Sequence, residues 1–110
     1  METGMLHSEA RVPTSVPHRY LGQLCKHFGH KLPVTQTDDH GCIEFADGAC
    51  ELGAEPGVLI IRVTAGDDAK RARLEDVIAR RLGRFAFRDK PEILWVRTPE
   101  AGERIDEAAP

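Results

Sequence analysis

Between residues 16 and 28 the apolar positions Tyr20, Leu21, Leu24, Cys25 and Phe28 recur at i, i+1, i+4, i+5 and i+8, the spacing of a single helix face. Ser15 stands where an N-cap belongs, Pro17 suits the first turn, and Gly29 stands where a left-handed residue would close the helix. A second stripe, Leu74, Val77, Ile78, Leu82 and Phe85, predicts a longer helix capped by Asp67 and running to about residue 85. Arg73, Arg80 and Arg84 fall off that stripe. Between the two helices the apolar period drops from 3.6 to 2, in runs over 32–37, 42–46, 49–55 and 58–65. Turn residues separate these runs: Asp38-Asp39-His40-Gly41, Asp47-Gly48 and Pro56-Gly57. Asp-Gly between alternating runs signals a hairpin whose type I′ turn needs positive φ at both central positions. Ile43 and Phe45 point one way and Cys42 and Glu44 the other, as in a sheet with one covered face.

A first strand over 8–14, ended by Pro13, and a last one over 92–97 carrying Trp95 complete the order β-α-β-β-β-β-α-β. The predicted fold class is α+β, a two-layer sandwich with both helices on one face of a mostly antiparallel sheet. Its core joins the two stripes to Ile43, Phe45, Leu59, Ile61 and Val63. The domain is expected over 8–98, with residues 1–7 and 99–110 as frayed ends, because neither segment is periodic. At 110 residues, 41% apolar and 30% charged, the chain suits one globular core.

A formal charge of −3 supplies no excess positive potential for nucleic acid or an anionic membrane. The N-terminus lacks the basic and apolar regions of a secretory signal, and the longest apolar run, 58–61, is too short to span a bilayer. A cytoplasmic protein is the default reading. Cys25, Cys42 and Cys50 form no CxxC pair, so three reduced thiols are expected there. No GxSxG, P-loop, GxGxxG or HExxH motif occurs.

The stretch YLGQLCKHFGHK (residues 20–31) gathers most of the candidate chemistry. Cys25 and His27 diverge by roughly 160° at about 100° per residue, so they cannot share one ion, and Cys25 on the apolar stripe is a poor nucleophile. His27 and His30 are two metal-ligand candidates; His40, Asp38, Asp39 or Cys42 would have to supply the rest. The plainer reading is that His27, His30 and Lys31 complement the negative end of the helix dipole. A third reading takes Arg19, Lys26, His27, His30 and Lys31 as a basic edge that holds an anion by charge-assisted bonds. The arginines of RARLEDVIARRLGRFAFR (71–88) are interrupted by Glu75 and Asp76, and Asp76 stands four before Arg80, so a salt-bridged solvent face is expected there.

The runs ARVPT from Ala10, RYLGQLCKHFGHK from Arg19 and LEDVIARRLGRFAFR, with the late Trp95, make the chain resemble a bacterial family, domain of unknown function 2218, over about residues 8–97. In that family an HFGHK motif recurs, and here it falls on His27, Phe28, Gly29, His30 and Lys31. The resemblance further implies a neighbourhood of flavin-dependent siderophore-interacting proteins, hence an association with iron. The leading expectation is a small non-enzymatic binding or accessory module for an anionic small molecule or a siderophore-interacting flavoprotein. The alternatives are a metal-dependent or redox enzyme at His27 and His30, and a homodimer built on an exposed sheet face with Ile60 and Trp95.

Overall fold

The elements follow in the order Leu6–Pro13 (β1), Pro17–Gly29 (α1), Val34–Gln36 (β2), His40–Phe45 (β3), Gly48–Glu55 (β4), Val58–Ala65 (β5), Asp68–Phe85 (α2) and Val96–Thr98 (β6). The computed structural model describes residues 5–86 and 93–98. All strands pair antiparallel in one sheet of order β2-β3-β4-β5-β1-β6. Strict alternation along β5 turns Leu59, Ile61, Val63 and Ala65 to the helix side, all of them buried. Arg62 and Thr64 fall on the bare side. Leu21 and Leu24 of α1 and Ile78 and Leu82 of α2 close over Val12, Ile43, Leu52, Leu59 and Ile61 to form the main core, while Val63 and Ala65 form a second cluster with Leu74.

Several local expectations are corrected. Leu6 and His7, expected to fray, belong to β1, where they pair with Ala65 and Thr64. Residues 1–4 and 99–110 lie outside the described residues, as does the expected strand start at 92; among the described residues the last strand is Val96–Thr98. Ser15 does not cap α1. The N-cap is Val16, whose own N–H donates to Thr14 Oγ1 at 3.1 Å, while its carbonyl accepts from the N–H groups of Arg19 and Tyr20. Gly29 stays helical, because Lys31 and Leu32 both donate to the Phe28 carbonyl and close the last turn without a left-handed residue.

The β3–β4 hairpin pairs Phe45 with Gly48. Its two turn residues are therefore Ala46 and Asp47, and Gly48 opens β4 at φ +157°. Pro56 and Gly57 link β4 to β5, with Gly57 at φ +77°, the value a type II turn requires at its second central position.

Asp67 caps α2 as predicted, accepting the Lys70 N–H at 2.8 Å. Asp67→Ala should lower stability by about 1 kcal/mol, read as a shift of the urea midpoint. Val77 leaves the core stripe and is 39% exposed. Conversely Glu75 turns inward: it lies 6% exposed and accepts two bonds from Arg97 of β6, at 2.7 and 3.1 Å. One turn earlier, buried Arg71 donates to the His7 carbonyl at 3.0 Å and to Asp68 at 2.8 Å. These bonds pin the first half of α2 to β1 and β6.

Ile60 and Trp95 do not offer the exposed apolar surface expected of them. Ile60 lies on the bare face of the sheet but is 5% exposed, and Trp95 packs on the helix side against both core clusters. No described helix is long and apolar enough to cross a membrane.

Candidate functional site at the shared end of two helices

The last turns of α1 and α2 meet. The His27 ring stands edge-on to Phe28, with centroids 4.9 Å apart, and to Phe85 of α2 at 6.3 Å, while Phe28 in turn packs edge-on to Phe45 at 5.2 Å. These aromatic contacts set His27 half-buried between the helix ends. Partial burial, then the positive charges of Arg81, His30, Arg84 and Lys31, hold its imidazole below the ordinary histidine range. The charged groups that depress it most among the described residues are thus basic, and they come from both helices. Beside it lies a cavity of about 240 Å³ lined by Phe28, Val77, Arg80, Arg81 and Arg84. Arg80 is engaged by Asp76 at 2.9 Å, the i, i+4 pair expected from the sequence. Arg81 and Arg84 have no ion pair among the described residues.

Of the predicted anion-binding residues, His27, His30 and Lys31 join this patch. Lys26 is exposed on the same last turn, and Arg19 lies two turns back, about 12 Å along the helix axis from His27, outside the group. Sequence reasoning missed the half of the site that α2 supplies. Glu75 was expected to break up the arginine run, but it is withdrawn into its bond with Arg97. The helix-period spacing of Arg80, Arg81 and Arg84, with a single acidic partner in reach, was the available signal.

The metal candidates are not brought together. Gly41 lies buried directly under α1, where an added Cβ would come within 2.6 Å of Cys25 Sγ. Alternation along β3 therefore turns His40 and Cys42 to the opposite face of the sheet from His27 and His30. His40 is bonded there to Asp39 at 2.9 Å. Among the described residues no three His, Cys, Asp or Glu side chains gather to hold a metal ion.

All three thiols are free. Burial raises the Cys25 pKa, with a further push from Cys42; burial likewise raises Cys42, helped by Glu51 and Glu44. The fully buried Cys50 is raised further still. Thiols held protonated in this way are unsuited to nucleophilic attack. On the bare face a second depression of about 250 Å³ includes Thr35, Cys42, Glu51, Gly53, Ile60 and Arg62, but Arg62 is already held by Glu9 at 2.9 Å.

Fold and patch together define a small two-layer α+β domain whose helices share one sheet face and end side by side in a basic cleft. The chain belongs to the bacterial family described as uncharacterized protein conserved in bacteria (DUF2218), whose family model matches residues 9–96. It is similar to PA4090 from Pseudomonas aeruginosa, known from an NMR structure, with 36% identity over 83% of this chain and 95% of that one and a TM-score of 0.72. No curated protein matches the chain.

Proposed function

We propose that the protein is a small non-enzymatic binding module that holds an anionic ligand in the cleft where α1 and α2 end. The observation that carries this reading is the set of charges around His27: His30 and Lys31 from one helix end, Arg81 and Arg84 from the other, all of one sign. Such a group costs self-repulsion unless an anion is present, and guanidiniums with no ion pair among the described residues are suited to forked bonds with carboxylate or phosphate. The anion we favour is a ferric chelate, with a siderophore-interacting flavoprotein as partner; that choice rests on the family resemblance, not on the geometry. A reducing cytoplasm, which keeps the three thiols free, is the proposed setting.

Inorganic phosphate and ferric citrate, an anionic iron chelate, are the probes. Calorimetric titration should show saturable binding of at least one of them, weakened at least tenfold by Arg81→Ala with Arg84→Ala, the loss of roughly one charge-assisted bond. The same weakening is expected of His27→Ala with His30→Ala. The pH dependence has a definite sign. An anion beside His27 favours the imidazolium, so binding should raise the His27 pKa from its depressed value, and affinity should grow as pH falls through the interval between the two. NMR titration of the His27 ring reads this directly. Undiminished binding by both double variants, or no saturable binding of either probe, would overturn the proposal.

A further inference from the structure

The cleft has an apolar lining as well as charged side chains, and that lining narrows the class of ligand. Val77 stands at a position of the core stripe yet is 39% exposed, and with half-buried Phe28 it supplies the apolar lining beside Arg80, Arg81 and Arg84. A bare inorganic ion would use the guanidiniums and leave this lining wet. Building on the anion-binding reading, we infer that the cleft is shaped for an organic anion whose charged group is borne on a single ring, with the ring on Val77 and Phe28 and the charge between Arg81 and Arg84.

Size points the same way. At about 240 Å³ the cavity falls below the roughly 300 Å³ at which pockets for drug-sized ligands begin, so it admits one ring, free or as the terminal group of a larger molecule. Chemistry agrees, because arginine both forks onto a carboxylate and stacks on an aromatic face. Arg80 is fixed by Asp76 at 2.9 Å and bounds the cleft, while Arg81 and Arg84 make no ion pair among the described residues and are assigned to the ligand.

Benzoate, acetate, benzyl alcohol and inorganic phosphate separate the outcomes, with binding read from the His27 ring and the Val77 methyl signals. Benzoate should bind at least tenfold more tightly than acetate, and neutral benzyl alcohol more weakly than benzoate by a similar factor. Val77→Ser should weaken benzoate about fivefold, as loss of part of the apolar contact requires, while leaving phosphate unchanged. Val77→Thr, which keeps the side-chain shape, should show the same trend and guards against a folding defect in the serine variant. Equal affinity for benzoate and acetate, or benzoate binding insensitive to both Val77 variants, overturns this inference and leaves the anion-binding reading standing. Failure of all four probes to shift the His27 ring overturns both.

Discussion

Gly48→Ala is expected to destabilise the protein by about 2–5 kcal/mol, the sum of backbone strain and overpacking. Gly48 opens β4 at φ +157°, a conformation that side-chain-bearing residues rarely adopt. A Cβ there would overlap the Thr64 carbonyl oxygen and lie 3.0 Å from Ala65 Cα and 3.1 Å from Leu74 Cδ1. Two of these neighbours are backbone of β5, the paired strand, so they cannot swing aside without breaking the ladder. Gly57→Ala is the control. Gly57 has φ +77° but nothing within 4 Å of an added Cβ, so only the left-handed penalty of about 1–2 kcal/mol applies. Urea denaturation of the two variants should separate clash from strain. A Gly48→Ala loss no larger than that of Gly57→Ala would show that β5 does not crowd this corner as described.

The second large effect is expected at Glu75. Glu75→Ala removes the carboxylate that receives both Arg97 bonds, and breaking such a pair costs roughly 3–5 kcal/mol when both partners are buried. Arg97 is 46% exposed at its side chain, so its guanidinium can return to water, and about 2–3 kcal/mol is the expected loss. Burial alone would push the Glu75 carboxyl up, but the hydrogen bonds and charge of Arg97, with the charge of Arg71, outweigh it and hold the group below the usual carboxylate range. A depressed folded-state pKa gives stability that is present above the unfolded value, about 4.3, and is lost as pH falls through the folded value. The gap in stability between the parent and Glu75→Gln should therefore be full at pH 6 and close progressively below pH of about 4. A gap that stays constant with pH would assign the effect of Glu75 to packing.

The two apolar stripes and the turn residues were enough to order the eight elements and to place both helices on one face, because period and turn chemistry are local properties of the chain. Helix ends were less legible. Ser15 and Gly29 are residues of the right type in the right place, yet Val16 and the Phe28 carbonyl meet the backbone demand there, since which donors remain unpaired depends on how the neighbouring loop runs. Glu75 looked like a solvent charge because its partner, Arg97, lies 22 residues away on strand β6. The candidate site was half legible for the same reason: His27, His30 and Lys31 are neighbours in sequence, whereas Arg81 and Arg84 reach them only because the two helices meet at the His27 and Phe85 rings. Val77 shows the limit of a helical stripe, whose apolar arc can be wider than the surface available to cover it.

The strand order also bears on how the sheet closes. β2 to β5 are joined through short turns, but β1, although earlier in the chain, has its partner in β5, with facing residues from Pro13 and Val58 to Leu6 and Ala65, 45 to 59 residues apart. Pairing across so long a separation costs more loop-closure entropy than a hairpin does. Without β1, the β5 edge would present unpaired backbone donors and acceptors, the kind of edge at which strands of separate chains pair.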